Sequence, residues 1–425
     1  MPQATTIDSP RPVQANERIE VLDVLRGIAL FGMIIVHCDG YGIKEGSLND
    51  IIGRIEVLFL DDRFYSMFAI LFGAGFAIQL IRSKAKGGKF VFRFLRRMAA
   101  LACFGLIASI GLGYAILFDY ALCGLLLLVV RNWSTKVLTI TFFICLIFSP
   151  LYRITENSIK TAVFGVEKTK QLISKRRAEL TTAFIEGGKR SALANETHNY
   201  STALKLRSKN FATGVLVEKE SKLIFLLSGP FMLILLGFIA IRLKIFEQPA
   251  KHQRLIVWLM IVGTILWALH FWGLPFFNIT PALEYPNIPF PLQMTLAYAS
   301  NGFGIFRDNW LSFLYMGAIL LLVSYNPNKW LRYFRFFSRI GRMALTNYML
   351  QALIFSLAFS KYAFGVPMMP EAFMVFIFAI GVFVLFVWFS SWWLNRYQYG
   401  PLEWIWRSVT YWKKQPLRVK QKTAN

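Results

Sequence analysis

Long apolar runs alternate with short polar segments along most of the chain. A membrane-spanning helix needs about 20 mostly apolar residues, and roughly ten runs approach that length. The pattern therefore predicts an all-α fold, a polytopic transmembrane helix bundle of about ten spans. The predicted spans cover 21–38, 55–81, 94–112, 114–131, 136–152, 222–242, 255–274, 309–325, 343–362 and 372–394.

Two stretches depart from this pattern. Residues 153–221 are polar, and their apolar positions at loose helical spacing predict an extracytoplasmic insert of two or three amphipathic helices. Residues 291–303 are too short and too interrupted for a span, which indicates a re-entrant or interfacial segment. The chain then divides into helices 1–5, the insert, helices 6–10 and a cytoplasmic or interfacial amphipathic tail, at residues 1–152, 153–221, 222–394 and 395–425.

Charge is sparse and unevenly distributed between the two signs. Charged residues make up 16% of the chain, and 47 Lys and Arg stand against 23 Asp and Glu. A soluble protein of this length needs far more polar surface. The basic residues concentrate in short loops at 82–97, 242–254 and 326–342. The positive-inside rule places such loops, and with them both termini, in the cytoplasm, where they contact anionic lipids. No basic stripe interleaved with aromatics indicates a nucleic-acid partner.

The cysteines indicate neither a disulfide framework nor a metal site. Cys38, Cys103, Cys123 and Cys145 all lie in or beside apolar runs. Buried thiols that pack as small apolar groups are the usual result of that placement. Walker A, GxGxxG and HExxH motifs are also absent from the sequence. We therefore expect no metal cofactor.

The first predicted helix carries the most informative polar residues. Arg26 and His37 are eleven residues apart, so they share one helix face and are separated by about 16 Å along the axis. Arg26 can form a local ion pair with Asp23, which would anchor the helix at the interface. His37 can be an interfacial histidine with a water or backbone partner, or a proton acceptor in catalysis. Gly27 and Gly32 permit a neighbouring helix or a ligand to come close.

Further candidates lie at both ends of the spans. His270 is predicted near the height of His37, and Asp119 lies in the outer third of its span, where a carboxylate could orient an imidazole. A basic rim on the inner side could hold phosphates, although lipid head groups would explain it equally well. The rim residues that we select as binding candidates are Lys89, Arg93, Arg96 and Arg97.

Four motifs resemble those of the YeiB-like family of bacterial inner-membrane proteins, which is named for a domain of unknown function. They are LDVLRGIALFGMIIVH, FYSMFAILFGAGFAIQL, GRMALTNYMLQALI and the tail YGPLEWIWRSVTYWKKQPLR. The resemblance covers nearly the whole chain and is weakest in the insert. It implies that the protein is located in the bacterial cytoplasmic (inner) membrane.

The family is more distantly similar to the transmembrane acyltransferases. The first helix of the bacterial members carries an Arg and a His separated by ten residues, and Arg26 and His37 match that spacing. This similarity implies that an acyl group passes from a cytoplasmic acyl-CoA to an acceptor on the other face, a sugar or another envelope component. Arg26 would contact the donor, and His37 would serve as a base or transiently take the acyl group.

Two other classes of function fit the same residues. A transporter or channel for a small organic solute could be lined by Arg26, Asp119 and His37, because buried charges mark pathways as readily as active sites. A scaffold for an envelope complex would need no cavity beside these residues. We therefore expect an acyltransferase to have a cavity that leads from the basic side towards His37.

Overall fold

A computed structural model describes residues 18–38, 51, 59, 63–85, 90–114, 116–214, 219–271, 289–366 and 372–418. Regular structure in this part of the chain is helical, apart from one isolated bridge between Tyr397 and Arg418. The helices are α1 Glu20–Cys38, α2 Arg63–Ala85, α3 Phe90–Leu106, α4 Ile116–Val130, α5 Thr135–Phe164, α6 Val166–Glu196, α7 Tyr200–Ala212, α8 Lys219–Leu226, α9 Met232–Arg242, α10 Gln253–Phe271, α11 Phe290–Tyr325, α12 Pro327–Tyr333, α13 Arg335–Arg342, α14 Ala344–Phe359, α15 Ala372–Leu394 and α16 Pro401–Tyr411.

Length and composition make this chain a multi-pass membrane protein, as the sequence predicts. Within the described residues, five helices are long and apolar enough to cross a membrane, and three more are apolar but shorter. The five are Arg63–Ser83, Phe90–Leu112, Thr135–Phe164, Lys222–Arg242 and Phe376–Leu394; the three are Ile116–Val130, Asn309–Tyr325 and Ala344–Phe359.

Two of the differences between the predicted segments and the structure concern how helices continue. α5 continues without a break to Phe164, although the prediction ended this span at 152, and it accommodates Pro150 in its interior. Residues 291–303 are neither a separate interfacial piece nor re-entrant, because they form the first part of the 36-residue helix α11. A short apolar stretch that continues another helix cannot be distinguished by its own pattern from one that stands alone.

The insert is helical, with α6 and α7 packed against each other beyond the end of α5. Arg207 on α7 is buried at 6% exposure and fastens the insert to the bundle. Its guanidinium donates to the carbonyl oxygen of Gly111 at 2.8 Å and to Asn195 Oδ1 at 3.1 Å. Gly111 belongs to the π-helical segment that extends α3, so the insert lies over that end of the bundle.

Glycines set the closest helix contacts in the bundle. A Cβ atom at Gly27 of α1 would overlap the backbone of Phe337, and one at Gly341 would overlap the backbone carbonyl of Asp23. α1 and α13 therefore pack backbone to backbone. Gly73 and Gly237 bring α2 and α9 together in the same way. Small residues permit this approach, which is a common basis of helix association in membranes.

We predict that Gly27→Ala lowers the thermal unfolding midpoint of the purified protein in detergent by several degrees. The new methyl group meets main-chain atoms that cannot rotate away, and overpacking of this kind costs about 1–3 kcal/mol. Gly381→Ala on α15 is the matched control, because nothing lies within 4 Å of a Cβ atom at that position. Equal midpoints for the two variants would contradict the close contact between α1 and α13.

Candidate functional site

A cavity of about 270 Å³ lies between α1, α2, α3, α4, α13, α14 and α16. Its polar end is formed by the residues before and within the first two turns of α1, the first half of α3, the ends of α2 and α13 and the tail helix α16. Charged residues concentrate at this end. The cavity-lining arginines are Arg18, Arg26, Arg82, Arg97, Arg342 and Arg407, and the lining carboxylates are Asp23 and Glu403.

The charge of the lining is strongly unbalanced. Among the lining residues that the structure describes, six guanidinium groups stand against two carboxylates, which leaves a formal surplus of four positive charges. Arg26 Nη1 pairs with Asp23 Oδ1 at 2.9 Å, so part of the negative charge is already committed. Burial lowers the pKa of Arg407, Tyr399 opposes this change, and the positive charge of Arg18 lowers it further. The six arginines are half-buried. A charge surplus of this size around one cavity favours the binding of an anion with several charges.

The far end of the cavity is apolar and aromatic. It is lined by side chains from the deeper parts of α1, α2, α3 and α4, with Tyr348 of α14 among them. The apolar and aromatic residues of this end are Met33, Phe68, Leu71, Phe72, Leu101, Ile116, Leu117, Tyr120 and Tyr348. The cavity thus combines a cationic end with an apolar end, a combination that suits a ligand with an anionic head and an uncharged arm.

The tail helix α16 is held to the cavity by aromatic and backbone contacts. The guanidinium of Arg97 lies 3.5 Å from the ring centre of Trp406, and Trp406 Nε1 donates to the Arg97 carbonyl oxygen at 2.9 Å. Arg407 lies over the ring of Tyr399 at 4.5 Å. Cation–π contacts of this kind stabilise guanidinium groups where water is scarce. The tail therefore completes the wall of the cavity and positions two of its arginines.

Glu403, within the GPLEW stretch of the tail motif, joins the tail helix α16 to the start of α14. Its carboxylate accepts from the backbone N–H of Leu345 at 2.7 Å and of Thr346 at 3.1 Å, and from Thr346 Oγ1 at 2.5 Å. These are free N–H groups of the first turn of α14, so Glu403 caps α14 from another helix. Burial raises the pKa of Glu403, and the hydrogen bonds from Thr346 oppose that rise. Gly400 leaves the space that the Glu403 carboxylate occupies, because a Cβ atom there would overlap it.

His37 lies beyond the apolar end of the cavity. Its ring packs against Tyr348, a cavity-lining residue, with ring centres 6.1 Å apart, and against Tyr114 at 4.7 Å. His37 Nδ1 is 2.7 Å from Nε2 of Gln351, a fully buried residue of α14. The imidazole is thus in contact with an aromatic side chain that lines the cavity.

Only some of the residues that the sequence predicts for the site line the cavity. Arg26 and Arg97 line the cavity together, whereas Arg93 and Arg96 are not among its lining residues. Arg93 donates to Ser83 Oγ at 3.0 Å, and Arg96 lies over the rings of Phe92 and Trp412. Asp119 pairs with Lys222 Nζ at 2.8 Å. Lys89 and the side chain of His270 lie outside the described residues.

Sequence reasoning did not select several residues that the cavity contains. Arg18, Arg342, Arg407 and Glu403 line it, and Gln351 contacts His37. Arg342 ends the basic loop 326–342, and Glu403 belongs to the tail motif. Either feature could have identified its residue as a candidate. Gln351 carried a weaker signal, an uncharged amide within an apolar run. Their convergence depends on helix packing, which residue spacing within a single helix does not reveal.

Comparison with known proteins agrees with the predicted resemblance. Residues 240–413 match the family model described as "Protein of unknown function (DUF418)". The uncharacterized protein YxaH of Bacillus subtilis (strain 168) is 27% identical over 436 residues, which cover 98% of this chain and 100% of YxaH. An uncharacterized 39.9 kDa protein in the amylase 3' region of Bacillus acidopullulyticus is 27% identical over 424 residues, 96% of this chain and 99% of that protein.

The uncharacterized protein YeiB of Escherichia coli (strain K12) is 42% identical over 71 residues, 17% of this chain and 18% of YeiB. No solved structure matches the chain. The DUF418 and YeiB matches confirm the resemblance to the YeiB-like family. The matched region contains the cavity-lining residues Arg342, Glu403 and Arg407, and also Gln351, which contacts His37.

We predict that Glu403→Ala destabilises the protein by about 1–2 kcal/mol, the range for losing a helix cap. Glu403→Gln should lose less, because an amide oxygen still accepts from the α14 backbone. Thermal unfolding and limited proteolysis of the tail measure the two effects, and Glu179→Ala on an exposed face of α6 is the control. If Glu403→Ala matched that control, the cap would contribute nothing to holding α16.

Proposed function

We propose that this YeiB-like membrane protein is an acyltransferase that takes an acyl group from an acyl-CoA in the arginine-lined cavity. The acceptor would be a sugar or another envelope component on the opposite face of the membrane. The observation that carries this proposal is a cavity with six arginines at one end and an apolar, aromatic wall at the other. His37 lies one side chain beyond that apolar end.

The cationic end suits the phosphates of the donor. Coenzyme A carries a pyrophosphate and a further phosphate, and guanidinium groups bind phosphate oxygens through paired, charge-assisted hydrogen bonds. The surplus of four positive charges among the described lining residues favours a ligand with several negative charges, which a free fatty acid or a neutral sugar lacks. Arg26 and Arg97 belong to this end, together with Arg342 and Arg407 from the C-terminal half of the chain.

The apolar end suits the uncharged part of the same ligand. A pantetheine arm is long enough to follow the first helix over the roughly 16 Å that separate Arg26 from His37 along its axis. Met33 lies between them and lines the cavity. The Tyr348 ring lies against His37, and its rotation would let a thioester approach the imidazole.

The reaction itself is a transfer between two nucleophiles. A hydroxyl or amine of the acceptor forms a bond to the acyl carbonyl carbon, and the carbon–sulfur bond of the thioester breaks. The proton that the acceptor loses ends on the thiol of the released coenzyme A. We place the arginine-rich side in the cytoplasm, where acyl-CoA is made, in agreement with the positive-inside rule. The membrane would then be the bacterial cytoplasmic membrane, with both termini on its inner side.

The experiment is acetyl-CoA binding to the purified protein in detergent, measured by titration calorimetry at two salt concentrations. We expect Arg26→Ala and Arg97→Ala to weaken binding by about tenfold or more, because a hydrogen bond to a charged group contributes about 1.5–3 kcal/mol. Arg93→Ala and Arg96→Ala are matched controls, since they remove the same charge from α3 outside the cavity lining. Higher salt should weaken wild-type binding.

Equal losses in all four variants would show that general charge, and not the cavity, attracts the ligand. No binding of acetyl-CoA or of longer acyl-CoAs would contradict the acyltransferase proposal. Transport of an anionic solute would then be the function to test, with the same four variants in reconstituted vesicles.

A further inference from the structure

His37 is held by a contact that determines where its proton lies. Gln351 Nε2 is 2.7 Å from His37 Nδ1 and also 3.0 Å from the carbonyl oxygen of Met33. Gln351 is fully buried, and Met33 lies one turn before His37 on the same helix. A single amide nitrogen thus bridges two groups of α1.

The carbonyl oxygen of Met33 fixes the orientation of the amide. A carbonyl oxygen only accepts hydrogen bonds, so the group that faces it must be the NH₂ of Gln351. The reversed amide would place two oxygens 3.0 Å apart without a proton between them, and it would leave both amide N–H groups without these two partners. A buried donor without an acceptor costs more free energy than the single hydrogen bond gained on reversal. The observed orientation is therefore the stable one.

This orientation makes Nδ1 of His37 an acceptor. The two N–H donors of the amide serve Met33 and His37, so the Nδ1 lone pair is occupied by a hydrogen bond. In a neutral imidazole one nitrogen carries the proton and the other does not. The proton of His37 is then on Nε2, which has a hydrogen to donate and no lone pair with which to accept a proton.

We propose that Gln351 is a positioning residue that keeps His37 in the Nε2–H tautomer, so that His37 acts in the transfer as a hydrogen-bond donor and not as a base. Its use in catalysis rests on the proposed acyl transfer. The Nε2–H group would donate to the acyl carbonyl oxygen, where negative charge develops when the acceptor attacks. Donors aimed at such an oxygen typically accelerate acyl transfer by about 10²–10³-fold.

The balance of the reaction stays the same with this role. The bond from the acceptor to the acyl carbon forms, the carbon–sulfur bond breaks, and the proton of the acceptor passes to the departing thiolate. The imidazole keeps its own proton throughout. This assignment differs from the sequence-based expectation, in which His37 accepted a proton or the acyl group.

The tautomer is tested directly by ¹⁵N NMR of protein labelled at histidine, in detergent at neutral pH. The His37 signals are identified by their loss in His37→Asn. We expect a protonated Nε2 and an unprotonated Nδ1 in the wild type. In Gln351→Glu a carboxylate faces Nδ1, so the proton should move to Nδ1. Gln415→Glu, the same change at another buried amide, should leave the His37 spectrum unchanged. A wild-type ring with its proton on Nδ1, or on both nitrogens, would overturn the proposal.

The donor role is tested with acetyl-CoA that carries ¹³C at the carbonyl. A hydrogen bond to the carbonyl oxygen shifts its ¹³C signal on binding, and we expect this shift to be lost in His37→Ala and largely kept in His37→Asn, which retains an N–H donor. An identical shift in the wild type and His37→Ala would overturn the donor role. If acetyl-CoA fails to bind the wild type, the acyltransferase function and the donor role both fail. The ¹⁵N spectrum would still decide the tautomer, so the two failures remain distinguishable.

Discussion

Positive charge held inside an apolar bundle is the constraint around which this structure is organised. A guanidinium group taken out of water loses hydration free energy that a protein must replace with aromatic faces, carboxylates or carbonyl oxygens. Among the described lining residues of this cavity, six guanidinium groups stand against two carboxylates. Trp406 and Tyr399 lie against two of the arginines, Asp23 pairs with Arg26, and the Glu403 carboxylate is committed to the first turn of α14. The remaining imbalance is most simply relieved by a bound anion, which makes ligand binding and the stability of this part of the bundle two aspects of one interaction.

The arginines reach the same cavity because of backbone contacts elsewhere. Gly27 and Gly341 bring α1 and α13 into contact, and this places Arg342 beside the beginning of α1. Glu403 then joins the tail helix to the start of α14, so that Arg407 arrives from the other direction. Two interactions with no ligand contact of their own thereby assemble a site from residues that are distant in the sequence. A bulkier side chain at either glycine would disturb the site as well as the fold.

The sequence predicts the features that depend on the residue pattern within one helix. Apolar runs give the helical membrane fold, and the spacing of Arg26 and His37 on one helix places the first at the cavity and the second beyond its apolar end. Features that depend on pairs of helices are different. Asp119 pairs with Lys222, 103 positions away, because α4 and α8 are in contact. No local sequence pattern predicts this ion pair. The contact between Gln351 and His37 spans 314 positions for the same reason. The full length of α11 also escaped prediction, since only its second part, 309–325, has the pattern of a span and its first part is polar enough to resemble an interfacial segment.

Chemistry at the two ends of the proposed ligand path follows from different physical needs. At the arginine-rich end, charge is useful because phosphates are charged and attraction between opposite charges grows where water is excluded. At the His37 end, an additional positive charge would increase the existing surplus and would lie in an apolar interior with no carboxylate among the hydrogen-bond partners of its ring that the structure describes. A neutral imidazole fixed by an uncharged amide avoids that cost and still offers a polarised N–H group. Gln351 is suited to this position because its NH₂ group donates to a backbone carbonyl and a ring nitrogen at once, whereas a carboxylate would draw the ring proton to Nδ1. The excess of arginines at one end and the choice of an amide at the other are thus consistent consequences of placing a charged ligand head and a neutral reacting group in one bundle.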